Sequence, residues 1–377
     1  MKIAFNAKLA FSNSTGLGNY SRYVLDILCR YYPQHEYVAF TPNTHGVPQM
    51  QRLLARHANL FVAGPGRWQC PELWRLWGMA DDVAQQGADV FLGLTGDLPL
   101  KIKKTGVPSV VTIHDLIYLR YPQYYNAIDC RIYAYKMRRA CEAANRIIAV
   151  SECTKRDVVR FFGIDAERIS VVYQGCDAAF TAQHDRTKED EVSRRYALPE
   201  KFVLSVGTIE ERKNTLLLVR ALPSLPKEIA LVLVGRRTPY TARVEKEAER
   251  LGVAQRLHIF SNVPFADLPA LYRLASVFAY PSRFEGFGIP VLEALRSGIP
   301  VVAATGSCLE EAGGNGALYV GPDDVDGMGA AIHRLVADNE LRTTLFTAGQ
   351  HHATTFNEAT QAQQIINEIQ KAIIAVT

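Results

Sequence analysis

Apolar residues recur along this chain in two alternating rhythms. Short runs such as Lys2–Asn6 (KIAFN), Tyr37–Thr41, Asn59–Ala63, Ala88–Leu92, Pro108–Ile113, Arg146–Val150 and Ile169–Tyr173 predict strands. Between them, apolar positions three and four apart predict helices, as in Tyr20, Tyr23, Val24, Ile27, Leu28 and Tyr31. After a polar gap the rhythm resumes with strands expected at Phe202–Val206, Ile229–Val234, Leu257–Phe260, Val277–Tyr280, Pro300–Ala303 and Ala317–Val320. Near-continuous apolar strands alternating with helices imply parallel sheets covered on both faces, with ligands beyond the carboxyl ends of the strands. The expected fold class is α/β, built from two Rossmann-like, doubly wound halves that share architecture without a sequence repeat.

The polar, charge-dense stretch TAQHDRTKEDEVSRRYALP (181–199) has almost no apolar periodicity. It divides the chain into an expected first domain (1–182), a linker (183–199), a second domain (200–356) and a final helix (357–377). That helix carries Ile365, Ile366, Ile369, Ile373 and Ile374 as one apolar stripe. A length of 377 residues suits two cores. A net charge of +4 permits contact with anionic membranes or phosphorylated substrates and does not specifically indicate nucleic acid. Seven cysteines are scattered without C-x-x-C pairs or metal-ligand spacing, as in reduced cytosolic thiols. The first residues, MKIAFNAKLAF, read as a strand and lack signal-peptide features, and no apolar run is long enough to span a bilayer. A cytoplasmic location is expected.

Candidate chemistry concentrates in YPSRFEGFGIPVLEALRSGIPVVAAT (280–305). A strand leads into a loop holding Glu285, Gly286, Phe287 and Gly288, and a helix is expected to open at Pro290. Ile289 is a poor cap, so the first amides lack a side-chain partner and suit a phosphate. Glu293, one turn into the helix, fits either dipole-favourable placement or a ligand contact. Upstream, GTIEERKN (207–214) places Arg212 and Lys213 beside a second expected helix start, with Asn214 as its cap. Two cations there repel the positive helix end, and a bound diphosphate would resolve this.

Elsewhere the residues leave more than one reading open. His114-Asp115 and Thr95-Gly96-Asp97 follow strands, where a histidine serves either structure or a ligand. The glycine loop Gly16-Leu17-Gly18-Asn19-Tyr20 either receives part of a substrate or makes a structural turn. It is not a full dinucleotide fingerprint, because Ser21 replaces the third glycine and no acid ends the next strand. RWQCPELWRLW (67–77) holds all three tryptophans and reads as core or as an exposed patch for a bilayer or acceptor lipid. Lys101, Lys103 and Lys104 could add charge to that patch. Arg131, Lys136, Arg138 and Arg139, set among tyrosines, form a solvated face or meet a pyrophosphate-bearing acceptor. Asp81-Asp82 and Asp323-Asp324 read as helix-start or surface acids rather than metal ligands.

With glycines, proline and both acids in place, E-GFGIPVL-E resembles the E-x7-E signature of retaining GT-B glycosyltransferases of family 4, and GTIEERKN resembles that family's basic motif. The resemblance spans essentially the whole chain. It implies a transferase acting on a nucleotide-diphosphate sugar, used as substrate with no other cofactor and no metal. It assigns Arg212 and Lys213 to the donor diphosphate, Glu293 to the ribose, Glu285 to the transferred sugar and His114 to that sugar from the other domain, with domain closure. It adds Gly16, Gly18, Thr208, Val263, Gly286, Phe287, Gly288 and Ile289 to the donor site, the base being held largely by backbone near Val263. An arginine of Gly235-Arg236-Arg237 could also reach the base or phosphates. The final helix is expected to return to the first domain. GLGNY, HDLIYLRYP and GTIEERKN are similar to bacterial mannosyltransferases of surface-polysaccharide assembly, which favours GDP-mannose over a UDP-sugar. The implied acceptor is a saccharide or polyprenyl-linked saccharide, with peripheral membrane contact. A nicotinamide oxidoreductase and a non-catalytic nucleotide-sugar binding protein are the rival readings.

Overall fold

A computed structural model of the chain describes residues 1–13, 16–66, 69–181 and 185–376. It forms two compact units, one of residues 1–174 with 358–377 and the other of residues 175–357. In the first unit the strands are β1 (Lys2–Asn6), β2 (Glu36–Phe40), β3 (Leu60–Ala63), β4 (Val90–Gly93), β5 (Ser109–Ile113), β6 (Arg146–Ala149) and β7 (Ile169–Val171). They form one sheet in the order β3-β2-β1-β4-β5-β6-β7, every pair parallel. Alternate residues of one strand enter cores on opposite faces. Ile3 and Phe5 join one core and Ala4 the other; Tyr37 and Ala39 oppose Val38 and Phe40 in the same way. Burial on both faces is why these strands read as unbroken apolar runs.

The second unit repeats the plan with β8 (Lys201–Val206), β9 (Ile229–Val234), β10 (Leu257–Phe260), β11 (Val277–Tyr280), β12 (Val301–Ala304) and β13 (Ala317–Val320). Their order is β10-β9-β8-β11-β12-β13, again all parallel. Both sheets are Rossmann-like. Because the strands run one way, the loops after β8, β9, β10 and β11 leave from the same edge, and that edge carries the motifs singled out above.

Helix boundaries depart from expectation in several places. The segment expected as a linker contains a helix, Arg186–Arg195, within the second unit. Only Val192 on it is buried. Its anchors are ionic: Lys188 Nζ and Arg195 Nη1 reach the carboxylate of buried Asp267 at 2.9 and 2.6 Å, and such pairing leaves no apolar rhythm to read. The final helix, Glu358–Ile374, packs on the first unit, with Ile365, Ile366 and Ile369 in the core that holds Ile3 and Phe5. Its expected stripe ends early, since Ile374 is exposed.

Gly16 to Tyr20 are not a loop but the opening of the helix Gly16–Tyr31, preceded by a short helix, Lys8–Ser12. A Cβ on Gly18 would stand 1.9 Å from the Asn13 carbonyl oxygen, so this glycine permits the two helices to approach. Buried Arg22 completes the junction, donating to the carbonyls of Ala10 and Asn13 at 2.8 Å. Gly18→Ala is therefore expected to lower stability by about 1–3 kcal/mol, whereas Gly16→Ala, with no atom within 4 Å of its Cβ position, should cost less. Urea denaturation of the two variants checks the difference.

Candidate functional site

The most densely bonded polar cluster at the carboxyl edge of the second sheet is centred on Glu285. Its Oε1 accepts from Lys213 Nζ at 2.6 Å, Ser282 Oγ at 2.5 Å and the Tyr280 hydroxyl at 3.2 Å, and Arg212 Nη1 lies 3.1 Å away. Lys213 Nζ also donates to the Tyr280 hydroxyl at 2.7 Å. Arg212 is fixed by the Phe284 carbonyl and by Glu210, both at 2.7 Å. Burial alone would raise the Glu285 carboxyl, but Lys213 and Arg212 outweigh it and hold it at about 2. The expected repulsion between the two cations and a helix end is thus already met inside the chain, by Glu285 and Glu210.

The loops are tied together by backbone and by Asn214. That residue sits in the left-handed region (φ 58°) and makes no side-chain cap hydrogen bond. Asn214 holds the expected N-cap position, its carbonyl accepting from Leu217 N at 3.0 Å, but its side-chain amide is spent elsewhere, donating to the carbonyls of Pro281 at 3.2 Å and Pro322 at 2.7 Å. Arg283 N donates to the Arg212 carbonyl at 2.9 Å. The basic loop and the glutamate loop are therefore hydrogen-bonded directly to each other.

The helix after Glu285 runs Ile289–Arg296, starting one residue before Pro290. Gly288 precedes it with φ 116°, and no side chain caps it. Its first-turn amides thus keep the positive helix end directed at the loop. Phe287 faces inward, its ring 5.4 Å from that of Phe356, so only its backbone faces the loop. Glu293, inside this helix, accepts from the Tyr272 hydroxyl at 2.8 Å. Burial pushes its carboxyl up to about 7, a rise opposed by the Tyr272 hydrogen bond and assisted by Asp177. Two glutamates eight residues apart are driven in opposite directions, one held ionised and the other poised near neutrality.

The neighbouring loops complete the edge. Thr208 follows Gly207, whose carbonyl oxygen lies 1.9 Å from where a Gly235 Cβ would stand. The loop carrying Val263 is bound back to β9 by Ser261 Oγ donating to the Gly235 carbonyl at 3.0 Å, with Asn262 left-handed. Arg237 pairs with Glu245.

In the first unit, His114 is committed on both ring nitrogens. Nε2 donates to the Leu94 carbonyl and Nδ1 accepts from Gln174 Nε2, each at 2.9 Å, while Tyr20 meets the ring edge-on at 4.5 Å between centroids. Burial, opposed by the Leu94 bond, lowers its pKa to about 4, so the ring is neutral near pH 7. The tryptophan segment divides. Trp74 is buried and donates to Asp82 at 2.6 Å, whereas Trp77 is exposed; Arg67 and Trp68 lie outside the described residues. Asp324 caps the helix Val325–Ala337 and Asp323 pairs with Arg283. Among the described residues no His/Cys/Asp/Glu group has metal-site geometry, and no helix is long and apolar enough to cross a membrane.

Residues 20–180 match the family model described as Glycosyltransferase Family 4, and residues 185–352 match that of Glycosyl transferases group 1. The two matches together span most of the chain. It belongs to the GT-B glycosyltransferases of family 4. Among curated relatives of this glycosyltransferase, the O-antigen chain mannosyltransferase B of Escherichia coli is 29% identical over 263 residues, 69% of each chain. A GDP-mannose-dependent alpha-(1-6)-phosphatidylinositol monomannoside mannosyltransferase of Mycolicibacterium smegmatis is 28% identical over 339 residues, 85% of this chain and 86% of that one. Anabaena HepE, solved in complex with UDP, superposes with a TM-score of 0.75 at 21% identity over 97% of this chain and 99% of that one.

Four residues of the glycosyltransferase's cluster were not singled out from the sequence as site residues: Tyr272, Tyr280, Ser282 and Glu210. Tyr280 ends an apolar strand directly before the glutamate loop, and a hydroxyl at that boundary was the available signal. Tyr272 reads as one more apolar helical position. Only the fold shows that its hydroxyl meets Glu293.

Proposed function

We propose that this glycosyltransferase moves a hexose, with mannose as first choice, from a nucleotide-diphosphate sugar to a saccharide or polyprenyl-linked saccharide, retaining the anomeric configuration. The observation that carries the reading is Glu285 held ionised against Lys213 and Arg212 beside an uncapped helix start. When the sugar–phosphate bond breaks, the diphosphate takes the electron pair and gains charge. Arg212, Lys213 and the first amides of Ile289–Arg296 neutralise that charge, the stabilisation that lowers the barrier. Glu285 steadies the oxocarbenium-like sugar, and Glu293 receives the ribose hydroxyls. The relatives named above are an O-antigen chain mannosyltransferase and a GDP-mannose-dependent phosphatidylinositol monomannoside mannosyltransferase, which supports surface-polysaccharide or glycolipid synthesis and GDP-mannose as donor.

The test is thermal stabilisation by GDP, UDP and NAD, for the wild type and for an Arg212→Ala/Lys213→Ala variant. GDP is expected to raise the midpoint of the wild type and not of the variant, and transfer from GDP-mannose is expected to survive excess EDTA and yield the α-anomer by NMR. A second reading, a UDP-sugar donor, is favoured by the UDP bound to HepE; a shift with UDP alone selects it. A shift with NAD alone overturns both. Donor binding with neither hydrolysis nor transfer leaves a non-catalytic binding protein.

A further inference from the structure

The side chains that gather on Glu285 converge on one of its two oxygens. Lys213, Arg212, Ser282 and Tyr280 all meet Oε1. Oε2 accepts from none of the described residues, and it is not one of the buried polar atoms that lack a partner, so it reaches solvent. A carboxylate can take about four hydrogen bonds spread over both oxygens. Crowding one oxygen and sparing the other fixes the plane of the group and leaves Oε2 as the atom a ligand can meet.

A diphosphate would act differently on these four side chains. Arg212 and Lys213 are charged and end long, flexible stems, so an arriving diphosphate draws both toward itself. Tyr280 and Ser282 are neutral and cannot follow. The Tyr280 ring is buried and stacks on Phe278 with 5.8 Å between centroids. Ser282 is fully buried, and the backbone on either side of it is tied down: the Pro281 carbonyl accepts from the Asn214 amide at 3.2 Å, and Arg283 N donates to the Arg212 carbonyl at 2.9 Å. Each hydroxyl has one proton to give. That of Ser282 goes to Oε1 at 2.5 Å, since the carbonyls of Arg212 and Phe284 stand at 3.4 Å. That of Tyr280 also goes to Oε1, because its other neighbour, the Lys213 ammonium, is itself only a donor.

We propose that Tyr280 and Ser282 are positioning residues that hold Glu285 by Oε1 once the donor diphosphate has taken its cations, and so keep Oε2 aimed at the transferred sugar. This rests on the transfer reaction proposed above and adds to it a separation of roles. Arg212 and Lys213 serve Glu285 in the empty enzyme and the diphosphate in the loaded one, whereas the two hydroxyls serve Glu285 in both.

The test is a double-mutant cycle on nucleotide release from GDP-mannose in acceptor-free buffer, or from UDP-glucose where UDP alone gives the thermal shift. Tyr280→Phe and Ser282→Ala are each expected to lower kcat about 10–100-fold, the worth of one hydrogen bond to a charged group, with KM little changed. On a Glu285→Gln background the same substitutions should lower kcat by no more than about two-fold, because the group they position is already gone. Both single variants should keep a midpoint shift with GDP at least as large as the wild type's, which shows them folded with the diphosphate site intact. Wild-type kcat in both overturns the inference. So does an equal loss on the Glu285→Gln background, which makes their role one of packing, and so does a raised KM with kcat intact, which makes them donor-binding groups acting through Lys213. Should Ser282→Ala not fold, the Tyr280→Phe arm decides alone. Wild-type kcat in Glu285→Gln, or a wild-type enzyme that hydrolyses neither donor, is failure of the proposed function itself and takes the inference with it. Losses that simply add, while Glu285→Gln is crippled, remove the inference and leave the proposed function standing.

Discussion

Glu285→Gln is expected to reduce kcat by about 10²–10³-fold, the range seen when one preorganised charged or polar group is removed from a transition state. The larger interest lies in the empty enzyme. Arg212, Lys213 and Glu285 have side chains only 13–15% exposed, and removing the Glu285 charge leaves Lys213 without a carboxylate and Arg212 with Glu210 alone. A loss of about 3–5 kcal/mol is expected for the second unit. GDP then supplies the missing negative charge, so the midpoint shift with GDP should be larger in the variant than in the wild type. In the wild type the diphosphate must displace Glu285 from Lys213; in the variant it meets no such competitor. Calorimetry with and without GDP, beside steady-state kinetics, checks both parts. Unchanged kcat removes Glu285 from the site, and a smaller GDP shift shows that it aids donor binding instead of competing with it.

Glu293→Gln is expected to act in the opposite sense on stability. A carboxyl pushed up to about 7 binds a proton in the folded chain over a range where the unfolded chain, near its ordinary 4.5, has lost it. Its contribution is fully present below pH 4.5 and is lost as pH rises through about 7. Glutamine carries no charge and still accepts from the Tyr272 hydroxyl. At pH 8 the variant should exceed the wild type by about 1–3 kcal/mol, and at pH 4.5 the two should converge. Affinity for GDP should meanwhile fall about 10–100-fold through loss of a charge-assisted bond to the ribose. A stability gap that does not widen between pH 5 and 8 would show that Glu293 is not held protonated. Glu285 leaves this window undisturbed, because its held value of about 2 places its own loss of stability below pH 4.5.

Among the described residues all thirteen strands were legible as apolar runs, the central ones because both their faces are buried, and Lys2–Asn6, Ile229–Val234 and Leu257–Phe260 begin and end where the pattern places them. What escaped the sequence depends on contacts between distant residues. Arg186–Arg195 is fastened by Asp267, more than seventy residues away, and no local rhythm reports an ion pair. Gly16 and Gly18 suggested a loop because glycine disfavours helix, yet at Gly18 the neighbouring carbonyl overrides propensity by admitting nothing larger. In the site, the residue types Glu285, Arg212, Lys213 and Glu293 announced anion chemistry. The internal pairing of the first three did not show, since a sequence lists charges without saying which of them meet.

The helix Glu358–Ile374 has a consequence for the order in which the protein is made. The core holding Ile3, Phe5 and Leu28 also needs Ile365, Ile366 and Ile369, which leave the ribosome after the whole of residues 175–357. At about 5–20 residues per second, that interval is roughly 10–40 s. For that time one core of the nascent amino-terminal unit, already partly filled by Val24, Leu25 and Leu28 of the helix Gly16–Tyr31, lacks its final helix, while the later-made second unit has every residue it requires. The half synthesised first is the half completed last, and a chain cut short at Asn357 would keep its second unit's core whole and leave one core of its first unit without its last helix.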